Sequence, residues 1–220
     1  MEDQSSTNQV AGRQKQKAER DRRKNELLTI LNNGGPVRYR EVRNIIGSSA
    51  LVKELIDDGV IERLPLGLYA LPHFDNSWQS LAVLSVTVPN AVVCMTTAAA
   101  YHGLTTANPH EVHLAIPRDQ SVPKNSEITV KGYRWMENSL KVGVEEVEVG
   151  NTKILMTNPA RTTVDLLRSL KKTAEIEMAM EALQTFKGRP AEILKIARAL
   201  GCEKTIRPYT QAIQSLGRKP

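Results

Sequence analysis

The sequence predicts an α+β protein: a small helical segment closed by a hairpin, then a mixed α/β region, then a helical C-terminal portion. Three observations carry this. Apolar residues recur at helical spacing in three short runs between Leu27 and Ile56. Residues 60–71 and 111–156 instead alternate or cluster their apolar side chains as strands do. From Asn158 onward helical spacing returns, with prolines placed where helices begin.

In the first run Leu27, Leu28, Ile30 and Leu31 form an apolar face, and Asn32-Asn33-Gly34-Gly35-Pro36 ends it, because those residues tolerate left-handed backbone and proline stops a helix. A second helix fits Tyr39 to Ile46, with Val42, Ile45 and Ile46 inward and Gly47 as the stop. Ser48 then suits the N-cap of a third helix, whose Leu51, Val52, Leu55 and Ile56 form a buried stripe up to Gly59. Val60 to Leu64 and Leu68 to Leu71, joined by Pro65-Leu66-Gly67, read as a two-stranded hairpin.

Helix, helix, turn, helix and hairpin within about 50 residues is the order of a winged helix-turn-helix, in which one helix protrudes while the others hold it. In that reading residues 25–72 are a DNA-binding domain. Ser48, Ser49 and Lys53 lie toward the exposed N-terminal half of the third helix, and Arg38, Arg40, Arg43 and Arg63 are placed to grip flanking phosphates. A winged helix used only for protein contacts stays open, since residues 25–72 carry five basic and six acidic residues.

Residues 1–24 read as a separate basic arm, disordered or a frayed helix until it meets phosphate. Its stretch from Arg13 to Lys24 holds seven basic residues against Glu19 and Asp21. The chain as a whole has a net charge of +6. Twelve basic residues against six acidic ones lie in 161–220, so the basic surface is expected at the two ends. Lys171, Lys172, Arg189 and Arg198 are candidates for contact there by charge alone.

Residues 73–220 read as one domain. A helix is expected over Asp75 to Val88, a short buried strand at Ala91 to Cys94 and a helix over Thr96 to His102. Strands follow at Glu111 to Ile116, Ile128 to Trp135, Val144 to Val149 and Lys153 to Met156, the last two joined at Gly150-Asn151. Helices are then expected from Pro159, over Ala174 to Phe186, over Pro190 to Leu200, and over Pro208 to Leu216. Arg161 and Asp165 form an i,i+4 pair whose simplest role is a structural ion pair.

No enzyme is expected. Asp57-Asp58 after Gly47-Ser48 faintly suggests a nucleotidyltransferase signature, but adjacent residues at a helix end do not share one metal-binding face. His73, His102, His110 and His113 lack metal-ligand companions, and no phosphate loop or nucleophile elbow appears, so no metal or cofactor is predicted. Two cysteines, Cys94 and Cys202, are too few for a disulfide framework and read as buried free thiols. With no spanning segment or leader pattern the expected address is cytoplasmic, with no membrane partner.

Three stretches together are similar to a known family: Gly67-Leu68-Tyr69, then Val92 to Leu104 (VVCMTTAAAYHGL), then Thr157 to Leu167 (TNPARTTVDLL). The chain resembles the AbiEi antitoxins, the repressor and antitoxin halves of abortive-infection, type IV toxin-antitoxin systems, over about Asn25 to Leu200. The resemblance implies autorepression of a two-gene operon through an operator, expected to be an inverted repeat in double-stranded DNA. It also implies a C-terminal domain that counters a nucleotidyltransferase-like toxin, basic C-terminal residues that contact DNA, and hallmark positions at Arg161 and Asp165. The residues themselves leave two classes open, a sequence-specific repressor and an interaction protein that neutralises a toxin by contact.

Overall fold

The computed structural model describes residues 3–72, 78–122, 124, 127–170 and 173–215. Its contacts divide the chain into two units, Met1–Val86 with Val149–Thr152, and Thr87–Glu148 with Lys153–Pro220.

The first unit opens on α1, Asp3–Gly34. Residues 11–24, expected as an arm apart from the first helix, instead continue it without a break. Two things hold them helical. Gln, Lys, Arg, Glu and Ala are good helix formers, and Glu19 accepts from Arg23 Nε at 2.9 Å and from Arg22 at 3.2 Å along the helix. A two-residue strand that the apolar pattern does not signal, β1 (Val37–Arg38), precedes α2 (Tyr39–Ile46), which begins with Glu41 accepting from the Arg38 backbone N–H. Gly47, at φ 81°, closes α2 in the left-handed region and donates its N–H to Arg43 O at 2.9 Å.

Helix α3 runs from Ser49 to Asp57, and β2 (Glu62–Leu64) and β3 (Leu68–Ala70) follow. Their link carries Leu66 at φ 59° and Gly67 at φ 71°. Two consecutive positive values are what a type I′ hairpin turn demands. The sheet order is β1-β3-β2, all antiparallel. Leu27 and Leu31 of α1, Val42 and Ile46 of α2, Val52 and Leu55 of α3, and Ile61 and Tyr69 form one buried core. The unit also takes in most of α4 (Gln79–Thr87), the described part of the helix expected over Asp75 to Val88; His73 and Asp75 lie outside the described residues.

The second unit carries β4 (Val92–Val93), α5 (Met95–Tyr101), β5 (Val112–Pro117), β6 (Val130–Trp135) and all but the end residues Val149 and Thr152 of β7 (Val144–Val149) and β8 (Thr152–Thr157). The sheet order is β6-β5-β4-β8-β7. β4 pairs antiparallel with β5 and parallel with β8, and β5 pairs parallel with β6. A strand flanked on both edges and covered by helices must be apolar on both faces, and Val92 and Val93 are both buried.

Four helices complete the unit: α6 (Pro159–Arg168), α7 (Thr173–Thr185), α8 (Pro190–Ala199) and α9 (Glu203–Ser215). α6 is central, buried at every residue from Ala160 to Leu167. Asn158 caps it by accepting from the Arg161 N–H at 2.8 Å, with Pro159 in the first turn. One expected boundary is wrong. Pro208 lies inside α9 rather than at its start, because Glu203 opens the helix and Ile206 and Thr210 anchor its buried face on both sides of the proline. The missing amide of Pro208 removes one helical hydrogen bond, on an exposed residue.

Candidate nucleic-acid interface

Helices α2 and α3 and the β2–β3 hairpin are fixed from beneath by the core just described, and what they leave outward is polar apart from Tyr39 and Ala50. On α3 the exposed residues are Ser49, Ala50, Lys53, Glu54 and Asp57. Ser49 and Lys53 stand one turn apart, so both project from the same face. Ser48 takes the N-cap backbone position at φ −141° and ψ 130°, half-buried, with its hydroxyl capping no helical amide.

The predicted arginines fall into three places. Arg40 is exposed and Arg43 half-buried on α2, while Arg63 is exposed on β2 opposite Tyr69. Arg38 is exposed at the start of α2, but its guanidinium donates to Val86 O at 3.1 Å. Arg38 is therefore held by α4, and reaching a phosphate would require giving up that bond.

The N-terminal helix contributes contacts that the sequence reading missed. Arg20 of α1 forms an ion pair with Glu54 of α3, and Arg23 Nη1 donates to Ile46 O at 3.4 Å, just before Gly47. These hold the basic helix against the helix-turn-helix and cover one of the two exposed carboxylates of α3. Asp57 and Asp58 end α3, Asp58 as its C-cap, which is the solvated helix end expected of them. The available signal was the i,i+4 spacing of Glu19 and Arg23 inside a run of helix formers; the partners on α2 and α3 were not readable.

Of the C-terminal candidates, Lys171 and Lys172 lie outside the described residues. Arg189 is exposed at the N-cap of α8 and meets Glu192 at 3.4 Å. Arg198 binds Glu203 through two hydrogen bonds of 2.9 and 3.0 Å, so its charge is already matched.

The Arg161–Asp165 pair is buried rather than at the surface, at 1% and 5% exposure. Nε donates to Asp165 Oδ2 at 2.7 Å, Nη1 to Ser139 O at 2.9 Å and to Val142 O, and the guanidinium carbon lies 4.3 Å above the Trp135 ring. Burial pushes the Asp165 carboxyl above its ordinary range, against the pull of Arg161. His102 hydrogen-bonds Thr157 O at 2.7 Å at the end of α5, and His113 lies buried beside Glu111 and Tyr133. Both are structural partners. Cys94 is buried and Cys202 only half-buried, and burial raises both thiols.

Among the described residues no group of three or more His, Cys, Asp or Glu could hold a metal ion, and no helix is long and apolar enough to cross a membrane.

A family model described as the AbiEi antitoxin C-terminal domain matches residues 91–208, more than half of the chain. Among curated proteins none matches. Among solved structures, the RV2827C protein from Mycobacterium tuberculosis is similar in a crystal structure, with a TM-score of 0.49 and 13% identity over 84% of this chain and 77% of that one.

Proposed function

This chain belongs to the AbiEi antitoxin family through its C-terminal domain, and on that premise we propose that it is a DNA-binding repressor and antitoxin that autoregulates an operon shared with a nucleotidyltransferase-like toxin. Residues 25–72 are its reading head. The observation that carries this is the exposed N-terminal half of α3, where Ser49 and Lys53 share one face above a closed core. Major-groove readers present base contacts from that part of the second helix, and the acidic end of α3 is then turned away from the phosphates. Lys53 reads base edges or the adjacent phosphate, Arg40, Arg43 and Arg63 grip the flanking backbone, and the basic face of α1 adds counterion release. The second unit, residues 87–148 and 153–220, counters the toxin.

Binding to the duplex upstream of this protein's own gene, against a scrambled duplex at two salt concentrations, tests the reading with wild type and Lys53→Ala. Specific, salt-dependent retardation weakened about tenfold by the substitution is expected. Equal affinity for both duplexes overturns the repressor reading and leaves neutralisation of a toxin by protein contact.

A further inference from the structure

The second unit holds a cavity of about 410 Å³ between β6 and α6, lined by Lys131, Tyr133, Trp135, Arg161, Asp165, Arg168 and Glu175 together with three smaller contributors. Its volume falls within the roughly 300–1,000 Å³ of small-molecule clefts. We propose that this cavity binds a free nucleoside monophosphate or a phosphate ester of similar size and planarity, a site independent of the DNA-reading surface.

The argument starts from Arg161, which is 1% exposed and yet lines the cavity. Its Nε and Nη1 are used by Asp165, Ser139 and Val142, and no described residue accepts from Nη2. A guanidinium held this rigidly with donors remaining is a preformed anion receptor, because its geometry is fixed before the ligand arrives. Arg168 stands on the same helix with its guanidinium 3.8 Å from Asp165 and partly exposed, and Lys131 rises from β6, 3.5 Å from Glu111. Counting Glu111 beside Lys131, the local charges balance, but the contacts of Arg168 and Lys131 are long and half-exposed, the kind of pair a phosphate can replace. Those two exchangeable cations beside the open Nη2 edge of Arg161 suit a phosphate better than a monocarboxylate.

The rest of the wall selects what the phosphate is attached to. Trp135 and Tyr133 lie two residues apart on β6 and so on one face of the sheet, where the Arg161 guanidinium lies over the Trp135 ring and with the two aromatic rings borders the space for a planar group. The Tyr133 hydroxyl is oriented by His113 Nδ1 at 3.4 Å, and that imidazole by Glu111 at 3.3 Å. Glu175 places a carboxylate on the same wall, which disfavours a ligand that offers only negative charge.

Trp135 is one of two tryptophans in the chain, the other being Trp78, so a Trp78→Phe background makes its fluorescence a direct probe of the cavity. AMP, UMP, adenosine and inorganic phosphate are titrated into that variant, and calorimetry of the unmodified chain repeats the series without the substitution. Saturation by AMP or UMP below about 1 mM is expected. Adenosine and inorganic phosphate should bind at least about tenfold more weakly, and Arg168→Ala should weaken AMP by about tenfold with an unchanged melting temperature. Absence of saturation, phosphate binding as tightly as AMP, or Arg168→Ala binding like wild type overturns the proposal. Displacement of AMP by an equal nucleotide concentration of duplex DNA also overturns it, since the cavity is then part of a nucleic-acid surface.

Discussion

Arg161 donates to Asp165 across one turn of α6 at 2.7 Å, both residues at 5% exposure or less, with Trp135 stacked 4.3 Å from the guanidinium. The same guanidinium ties down the Ser139 and Val142 carbonyls, so one side chain joins the central helix to the segment between β6 and β7. Removing one member of a buried pair leaves the other charge without compensation. Asp165→Ala is expected to cost roughly 3–5 kcal/mol by urea denaturation. Arg161→Met combined with Asp165→Ala should cost clearly less than the two single losses added together, because the stranded charge disappears. Strict additivity would show that the pair is not coupled.

Gly47 sits at the turn between α2 and α3 with φ 81°, and a Cβ there would also run into Nη1 of Arg23. The second obstacle is the far end of a flexible side chain and can swing away, whereas the left-handed backbone cannot be relieved locally. Gly47→Ala is therefore expected to lower stability by about 1–2 kcal/mol, the cost of that conformation for an L-residue. Because Gly47→Ala already displaces Arg23 from Ile46 O, Arg23→Ala should cost less in that background than in wild type. A thermal melt of Gly47→Ala matching wild type would contradict the requirement for glycine here.

What was readable from sequence follows from how local each determinant is. α2 falls on the predicted Tyr39–Ile46, and β5 to β8 fall within a residue or two of their apolar alternation, because a half-buried strand or helix writes its period into neighbouring residues. The helical state of residues 11–24 was only weakly readable, from helix formers and the Glu19–Arg23 spacing, and its continuity with the first helix was not. Almost no apolar residue marks a face there, and the ties that fix it, Arg20 to Glu54 and Arg23 to Ile46, span more than twenty residues. β1 is two residues long and exists only through its pairing with β3. At the candidate site the exposure of Ser49 and Lys53 followed from helix phase alone. The commitment of Arg38 to Val86 and the cavity beside Arg161 depend on residues far apart in sequence, so neither left a local pattern.

Thr152 offers a test of polar burial. Its hydroxyl is the one buried side-chain oxygen or nitrogen without a hydrogen-bond partner among the described residues, and the residue is 4% exposed. An unpaired buried hydroxyl carries a desolvation cost that a methyl group of the same shape does not. Thr152→Val is expected to leave the urea midpoint unchanged or raise stability by up to about 1 kcal/mol. A loss of 1 kcal/mol or more would show that the hydroxyl has a partner in solution, an ordered water being the simplest.

His113 gives the second unit an acid-side sensitivity whose sign is fixed by its surroundings. Burial lowers its pKa below the ordinary 6.5, and nearby Lys131 acts in the same direction, while Glu111 opposes both. Tyr133 on β6 faces the same ring at 3.4 Å. A depressed value means that the unfolded chain takes up the proton first as pH falls. The contribution of neutral His113 is complete above about pH 6.5 and is lost as pH drops through the folded value, ahead of most carboxylates. Urea midpoints measured between about pH 7 and pH 5 should decline in wild type and decline less steeply in His113→Gln. The glutamine keeps a polar group near Glu111 and Tyr133 but cannot titrate, so an unchanged slope would assign the acid sensitivity to another group.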